Sequence, residues 1–211
     1  FDIEQKVMFA ADSVITVSNY TKNIVINRYG IDESKVFTVH NSVEFDKDSQ
    51  GNSLWKKNVP EKVVTFLGRV TFQKGPEYFV EAANMVLSKY KNVRFVMAGS
   101  GDMLNRIIKR VAELQISDKF HFTGFLKGDD VNRMFVQSDV YVMPSVSEPF
   151  GISPLEAMRA NVPVIISKQS GVAEVLRHAI KSAFWAIDAI AAAIYLLLNY
   201  NGFSDMFWLF D

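Results

Sequence analysis

Residues 140–158 read VYVMPSVSEPFGISPLEAM, and within them a pattern typical of a strand gives way to one typical of a helix. Val140–Met143 is an apolar run of the length of a buried strand, and Pro144 prevents the strand from continuing. Pro154 suits the first turn of a helix, and an apolar pair at helical spacing follows it. The stretch therefore predicts a strand, a loop and a helix in succession.

Apolar runs and helical patterns alternate in the same way on both sides of this stretch. The predicted strands are residues 63–67, 93–98, 119–122, 140–143 and 162–166, and the predicted helices are residues 76–90, 102–114, 131–138 and 154–160, with a further helical start at residue 171. Units of this length predict an α/β fold with a doubly wound, Rossmann-like parallel sheet that helices cover on both faces. Such sheets bind their ligands at the carboxyl ends of the strands.

The two ends of the chain have other patterns. Residues 11–18 predict a strand that enters a helix over residues 20–29, and a second short strand follows at residues 36–39. The polar residues 46–58 predict a surface loop. The apolar run at residues 179–198 contains two charges, so it predicts a packed amphipathic helix rather than a membrane span. The sequence opens without a signal-peptide pattern.

Composition narrows the choice of partners. Basic and acidic residues each total 23, so the formal charge is zero, which favours neither nucleic acid nor an anionic membrane as the main partner. The sequence has no Cys, which excludes disulfides and thiolate chemistry and agrees with a cytoplasmic location. His40, His121 and His178 are isolated and do not have the spacing of metal ligands.

Two acidic and two basic residues follow predicted strands. Glu148 and Glu156 lie on either side of a Pro-Phe-Gly turn, and their carboxylates can accept hydrogen bonds from ligand hydroxyls. Gly151 lets a ligand approach the backbone, and the N-terminus of the helix favours an anion. Arg69 and Lys74 can hold phosphate oxygens at the same edge of the sheet. Together these residues predict a site for a sugar nucleotide.

Four blocks of sequence are similar to the motifs of a known enzyme family. They are GRVTFQKG at residues 68–75, MAGSGD at 97–102, SEPFGISPLEAM at 147–158, which contains an E-x7-E pattern, and GVAEV at 171–175. In these blocks and in their order the chain resembles the C-terminal, donor-binding portion of the group 1 (family 4) GT-B retaining glycosyltransferases. Each block alone is a weak signal, and their combination makes the resemblance specific.

The resemblance also implies roles for particular residues. Arg69 and Lys74 would bind the diphosphate of the donor and neutralise the leaving group, while Glu148 would lie at the donor sugar. The implied catalytic residues are therefore Arg69, Lys74 and Glu148. The other implied donor-binding residues are Gly68, Gly99, Ser100, Phe125, Leu126, Phe150, Gly151, Ile152 and Glu156, with Glu156 at the ribose and residues 125–126 at the base. Glu174, in the last block, fits a structural role better.

The implied reaction moves a hexose from a nucleoside-diphosphate sugar to an acceptor hydroxyl with retention of configuration and without a metal or other cofactor. Residues 1–40 would be a remnant of the N-terminal acceptor domain and the hinge, residues 41–185 the nucleotide-sugar-binding domain, and residues 186–211 a C-terminal helix with an aromatic tail. The acceptor, a glycan or another hydroxyl compound, would bind through the missing N-terminal domain. The chain alone is therefore expected to bind donor but to transfer sugar poorly.

Some features depart from the family pattern. The family's hinge sequence P-N-G-V-D is replaced by HNSVE at residues 40–44, so the usual tight turn is not expected. The helical stretch at residues 186–198 is rich in alanine where the family is more polar.

Exposed apolar surface would allow a homodimer, and membrane contact would be peripheral at most.

Two other functions remain open from the sequence. The chain could be a non-catalytic nucleotide-binding or interaction module that keeps the half-fold, or a sugar-phosphate epimerase with a GT-B-like fold. The E-x7-E and Gly-Arg blocks fit a transferase better than an epimerase. A glycosidase pair is not expected, since such carboxylates bracket one scissile bond about 5 to 10 Å apart, whereas Glu156 is assigned to ribose.

Overall fold

Strands and helices alternate along the chain, of which this computed structural model describes residues 2–43 and 56–199. The helices are α1 (Asp2–Ala10), α2 (Asn19–Tyr29), α3 (Pro76–Lys89), α4 (Leu104–Glu113), α5 (Asp129–Gln137), α6 (Ser153–Arg159) and α7 (Ile187–Asn199). The strands are β1 (Val14–Thr16), β2 (Val36–Thr38), β3 (Lys62–Leu67), β4 (Val93–Ala98), β5 (Phe120–Gly124), β6 (Val140–Met143), β7 (Val164–Ser167) and β8 (Ile180–Ser182). The predicted aromatic tail and most of the predicted loop at residues 46–58 lie outside the described residues.

The main sheet is parallel throughout and has the strand order β5-β4-β3-β6-β7-β8. This confirms the predicted α/β, Rossmann-like fold. From β3 the chain first builds outward through β4 and β5, and it then returns to place β6 on the other side of β3. The direction of building therefore reverses between β3 and β6, and a crevice opens at such a reversal beyond the carboxyl ends of the strands.

Helices cover both faces of this sheet, because successive residues of a strand point to opposite sides. On β6, Val140 and Val142 belong to one buried cluster, which α3, α4 and α7 complete. Tyr141 and Met143 belong to the other cluster, to which α5 and α6 contribute. In the first cluster the fully buried ring of Phe79 packs against three other phenylalanines at centroid distances of 5.6 to 6.1 Å.

The predicted helix at residues 179–198 needs a correction. Ile180–Ser182 instead form the edge strand β8, which pairs with Ile165–Ser167 of β7, and the helix begins at Ile187. The three residues of β8, Ile-Lys-Ser, have no local pattern that separates a strand from a helix, and the pairing with β7 decides between the two. The rest of the segment packs as an amphipathic helix, as predicted, with Ile190 and Ile194 buried and Asp188 exposed. No described helix is both long enough and apolar enough to span a bilayer.

Residues 2–43 carry a smaller parallel sheet, in which β1 pairs with β2. Ser18 caps α2 by accepting a hydrogen bond from the Thr21 amide, and Gly30 ends this helix in the left-handed conformation. Helix α1, which the sequence patterns did not indicate, precedes β1 and buries none of its residues.

An ion-pair cluster lies at the amino ends of β3 and β4. Glu61 Oε1 contacts Lys119 Nζ at 3.0 Å, and Glu61 Oε2 contacts Arg94 Nη2 at 2.8 Å. The hydrogen bonds from Lys119 and then from Arg94 lower the pKa of the Glu61 carboxyl below its ordinary value. This cluster is at the opposite end of the sheet from the crevice, so it bears on stability rather than on the site.

Candidate functional site

A cleft of about 940 Å³ opens at the carboxyl ends of the strands, beside the reversal between β3 and β6. Every site residue implied by the sequence lines it: Gly68, Arg69, Lys74, Gly99, Ser100, Phe125, Leu126, Glu148, Phe150, Gly151, Ile152 and Glu156. The other lining residues are Val17, Asn41, Leu67, Ala98, Pro149 and Ser153. The loops after β3, β4, β5 and β6 thus bring residues far apart in sequence into one cavity.

The loop after β3 directs a cation into the cleft. A short 3₁₀ helix, Phe72–Lys74, ends at Gly75, which has a φ of 65°. A Cβ at Gly75 would lie 2.2 Å from the carbonyl oxygen of Pro144, so only glycine allows this loop to pack so closely on the end of β6. The close packing holds Lys74 at the boundary between β3 and β6. Arg69, in the same loop, is exposed to solvent at the rim.

Lys74 and Glu148 form an ion pair across the cleft. The Lys74 side chain is 19% exposed and that of Glu148 is 10% exposed, so water screens the pair only partly. The backbone of Glu148 is fixed on both sides, since its N–H donates to Gln169 at 3.0 Å and its carbonyl accepts from Gly171 at 3.0 Å. The acidic and basic candidates of two separate motifs therefore meet at the reversal point.

The turn after β4 is built on a close backbone contact. Gly99 has a φ of 141°, and a Cβ on it would lie 1.8 Å from the Gly68 carbonyl oxygen. The Gly99 N–H donates to the carbonyl of Gly124 at 2.8 Å, and the Val70 N–H donates to the carbonyl of Ser100 at 2.9 Å. Hydrogen bonds therefore join this turn to the loops after β3 and β5. Ser100, in the turn, is exposed at the cleft.

The loop and helix after β6 supply the opposite wall. Glu156, on α6, is half-buried, and its carboxylate makes no hydrogen bond or ion pair with another described residue, so the carboxylate is available to a ligand. Gly151 and Ile152 present backbone at the start of α6. Phe150 is 2% exposed, and its ring packs in the core while its carbonyl accepts from the Val172 N–H at 2.8 Å. Phe125 is 74% exposed and stands at the far rim.

Tyr141 is a supporting residue that the sequence patterns did not reveal. Its buried hydroxyl donates to Ser153 Oγ at 3.0 Å, directly beneath the cleft. Burial raises the pKa of this phenol far above its ordinary value, and the charges of Glu148 and Glu156 add to the rise. Tyr141 therefore stays neutral and donates to Ser153 at any pH near neutrality. The one sequence feature that could have indicated this role is a tyrosine within an otherwise apolar strand.

The smaller sheet also reaches the cleft. Val17 and Asn41 line it, although the sequence patterns gave neither of them a role. His40 Nε2 lies 3.1 Å from Glu174 Oε2, and the His40 ring lies 6.0 Å from that of Phe150. Of the predicted hinge region, residues 40–43 are described and contain no regular structure, while residue 44 is outside the described ranges.

Within residues 2–43 and 56–199, side chains of the metal-binding types do not gather into a group of three or more that could hold a metal ion. The charged side chains that line the cleft are those of Arg69, Lys74, Glu148 and Glu156. Such a set can bind an anion and hydroxyl groups together.

Comparisons of the sequence with known proteins identify glycosyltransferases as its relatives. The family described as glycosyl transferases group 1 matches residues 52–206, and the family described as glycosyltransferase family 4 matches residues 1–47. An uncharacterized glycosyltransferase of Methanocaldococcus jannaschii is 35% identical over 209 residues, covering 91% of this chain and 52% of the relative. The 2-deoxystreptamine glucosyltransferase of Streptomyces kanamyceticus is 26% identical, covering 90% of this chain and 51% of the relative.

Solved structures agree in fold. Anabaena HepE in complex with UDP and glucose has a TM-score of 0.80 at 17% identity, over 97% of this chain and 59% of that one. TarM of S. aureus, in a complex that contains UDP, has a TM-score of 0.81 at 20% identity, over 97% of this chain and 41% of that one.

The chain spans about half the length of the curated relatives that it matches. The main sheet and all but two of the residues that line the cleft lie within the part that matches the first family, while Val17 and Asn41 lie within the part that matches the second. The chain therefore belongs to the group 1 glycosyltransferases and has the Rossmann-like fold of GT-B enzymes.

Proposed function

We propose that this chain is the donor-binding half of a retaining glycosyltransferase, which transfers a hexose from a nucleoside-diphosphate sugar to an acceptor hydroxyl. The observation that carries the proposal is the meeting of Lys74 and Glu148 across the reversal of the sheet, in a cleft that Arg69 and Glu156 also line. Positive charge suited to a diphosphate thus lies beside carboxylates suited to hydroxyl groups, which supports the proposal.

Arg69 and Lys74 would act on the diphosphate. Arg69 offers a planar fork for two phosphate oxygens, and Lys74 offers a compact charge deeper in the cleft. As the bond from the sugar to the diphosphate breaks, negative charge grows on the departing oxygen, and fixed cations lower the energy of that state. Because these two cations supply the charge, we propose that no metal ion is required.

The carboxylates would hold the hydroxyl groups of the donor. Glu148 would accept from the sugar, and Glu156 would accept from the ribose. The bond between the anomeric carbon and the β-phosphate oxygen breaks, and a bond to the acceptor oxygen forms on the same face of the sugar. The acceptor proton passes to the released diphosphate, so the atoms and charges balance.

Glu148 is not proposed as a covalent nucleophile. Its carboxylate is paired with Lys74, its side chain is 10% exposed, and the backbone of its loop is fixed by hydrogen bonds. An acid in this position suits the binding of sugar hydroxyls.

Residues from a second domain would complete the acceptor side. Val17 and Asn41 already bring the smaller sheet to one wall of the cleft. We propose that the acceptor, a glycan or another hydroxyl compound, binds on that side in the longer protein. The chain alone would then bind nucleotide and give little transfer.

Calorimetric titration of the chain with UDP, GDP and ADP tests the donor site. We expect one of the three to bind, and we expect Arg69→Ala and Lys74→Ala each to weaken its binding by about tenfold or more. Lys109→Ala is the matched control, because Lys109 is 80% exposed on α4 and should leave binding unchanged. EDTA should also leave binding unchanged. If none of the three nucleotides binds, or if the Arg69 and Lys74 variants bind like the wild type, the chain is an interaction module instead.

We also propose that the smaller sheet allows self-association. Ile15 and Phe37 are paired across β1 and β2, and they are 70% and 52% exposed, with Val39 exposed beside them. Light scattering should give a mass above that of one chain, and replacing Ile15 and Phe37 together by serine should restore the mass of a monomer. A monomeric wild-type chain would refute this part of the proposal.

A further inference from the structure

The start of α2 is fastened to the loop that carries Glu148. Ser18 Oγ donates to the carbonyl oxygen of Pro149 at 2.6 Å. The Tyr20 hydroxyl lies 3.1 Å from the hydroxyl of Ser147. Pro149 and Ser147 are the two chain neighbours of Glu148, so α2 holds this loop on both sides of its acidic residue.

Glu174 completes the attachment from the other side of the loop. Its carboxylate accepts from the backbone N–H groups of Asn19 and Tyr20, at 2.8 and 2.6 Å, and His40 Nε2 lies 3.1 Å from it. Burial acts to raise the pKa of Glu174, but the hydrogen bonds from Asn19, His40 and Tyr20 outweigh it and hold this pKa below the ordinary value. The carboxylate is therefore charged at neutral pH and satisfies N–H groups that the first turn of a helix leaves without partners.

The joined segments leave no free space between them. A Cβ on Gly171 would lie 2.3 Å from the Pro149 carbonyl oxygen and 2.4 Å from Ser18 Cβ. Gly171 also donates its N–H to the carbonyl of Glu148. A displacement of α2 would consequently move the Glu148 loop with it.

We propose that Ser18, Tyr20 and Glu174 are positioning residues for the donor site, which act by fixing the loop 147–150 and thereby the distance from Glu148 to Lys74. None of the three lines the cleft, so each acts through the loop and not on a ligand. The inference rests on the proposed function for its effect on sugar binding, whereas the attachment itself can be tested without a ligand.

Amide hydrogen exchange measured by NMR on the full chain tests the attachment. Tyr20→Phe removes one hydroxyl and keeps the ring, and we expect the protected amides of Glu148, Gly171 and Val172 to exchange about threefold to tenfold faster. The matched control is Tyr29→Phe, at the other end of α2, whose hydroxyl donates to Glu4. Faster exchange confined to Tyr20→Phe supports the attachment, and equal exchange in both variants overturns it.

A second measurement separates positioning from general stability. For the nucleotide among UDP, GDP and ADP that binds best, the dissociation constants of the free diphosphate and of its glucose derivative are measured for both variants. We expect Tyr20→Phe to change the dissociation constant of the free diphosphate by less than about twofold. The same variant should raise the dissociation constant of the glucose derivative by about threefold to tenfold. Equal weakening of both ligands would indicate a merely structural role.

Glu174→Gln provides the stronger perturbation at the same place. We expect Glu174→Gln to weaken the binding of the glucose derivative selectively, as Tyr20→Phe does, and also to lower the melting temperature. The reason is that a neutral amide accepts the backbone hydrogen bonds of Asn19 and Tyr20 less strongly than a charged carboxylate. If this variant fails to fold, Tyr20→Phe still decides the question. If the wild type binds none of the nucleotides, the proposed function fails, and the exchange data alone still accept or reject the attachment.

Discussion

The Lys74–Glu148 pair gives a prediction in which stability and affinity change in opposite directions. Lys74 is paired with Glu148, so a diphosphate that binds Lys74 must compete with this carboxylate for the cation. Glu148→Gln removes the competing charge and keeps the size of the side chain. The free protein should lose stability, and the affinity for the free nucleoside diphosphate should rise.

The magnitude follows from the burial of the pair. Opposite charges about 4 Å apart attract by about 4 kcal/mol at an effective dielectric constant of 20, and the cost of removing both charges from water offsets most of this. Exposed pairs are worth about 0.2 to 1 kcal/mol, and breaking a buried pair costs about 3 to 5 kcal/mol. With side chains 19% and 10% exposed and a glutamine oxygen that still accepts from Lys74, we expect a stability loss of about 1 to 2 kcal/mol.

The gain in affinity should be comparable with the loss in stability, since both arise from the same pair. A gain of about 1 kcal/mol corresponds to about fivefold tighter binding of the diphosphate. Urea unfolding and calorimetric titration measure the two quantities. Glu113→Gln on α4 makes the same change in net charge at an exposed site and should leave both unchanged. A weaker affinity for the free diphosphate in Glu148→Gln would refute the reasoning, because it would mean that Glu148 supports the diphosphate instead of competing with it.

Three further changes have defined outcomes. Arg69→Ala should weaken diphosphate binding by about 1.5 to 3 kcal/mol without a change in melting temperature, because its guanidinium is exposed and is proposed to contact only the ligand. Calorimetry and a thermal melt check this, and a large fall in melting temperature would contradict it. Gly99→Ala should cost more than about 3 kcal/mol of stability, while Gly124→Ala, which has a positive φ but open space around it, should cost about 1 kcal/mol in the same urea unfolding experiment. The lowered pKa of Glu61 contributes stability that is complete above about pH 5 and is lost as the pH falls through the folded-state pKa. Unfolding measured from pH 7 to pH 3 should therefore show less acid sensitivity in Glu61→Gln, and an unchanged profile would contradict this.

Local patterns predicted most of the main sheet. The run at residues 140–143 forms β6 with the predicted bounds, and Pro154 lies in the first turn of α6, because an apolar run and a proline act on their own neighbours in the chain. Strand β8 was missed for the opposite reason. Its three residues are stabilised as a strand by pairing with β7, and that partner is not visible in the local sequence.

Some features of the candidate site could likewise be predicted from the sequence, and others could not. Motif residues such as Lys74 and Glu148 could be predicted because the family resemblance named them, and the structure adds that they are paired. The contacts of Ser18 and Tyr20 with the loop that carries Glu148 could not be predicted, because their partners lie 131 and 127 positions away in the sequence. Tyr141 was missed because the value of its hydroxyl depends on Ser153, which only the fold brings above it.

The central place of β3 in the sheet has a consequence for the order of folding. Strand β3 pairs with β4 after a single helix, but it pairs with β6 only after the chain has passed through β4, β5 and the intervening helices. Contacts over longer stretches of chain form more slowly, because more of the chain must be ordered to close them. The pocket needs both pairings, and the β3–β6 pairing is the most distant in sequence within the main sheet, so we expect the pocket to form late in folding. A nucleotide added during refolding would therefore bind late, and its binding would report the completion of the domain.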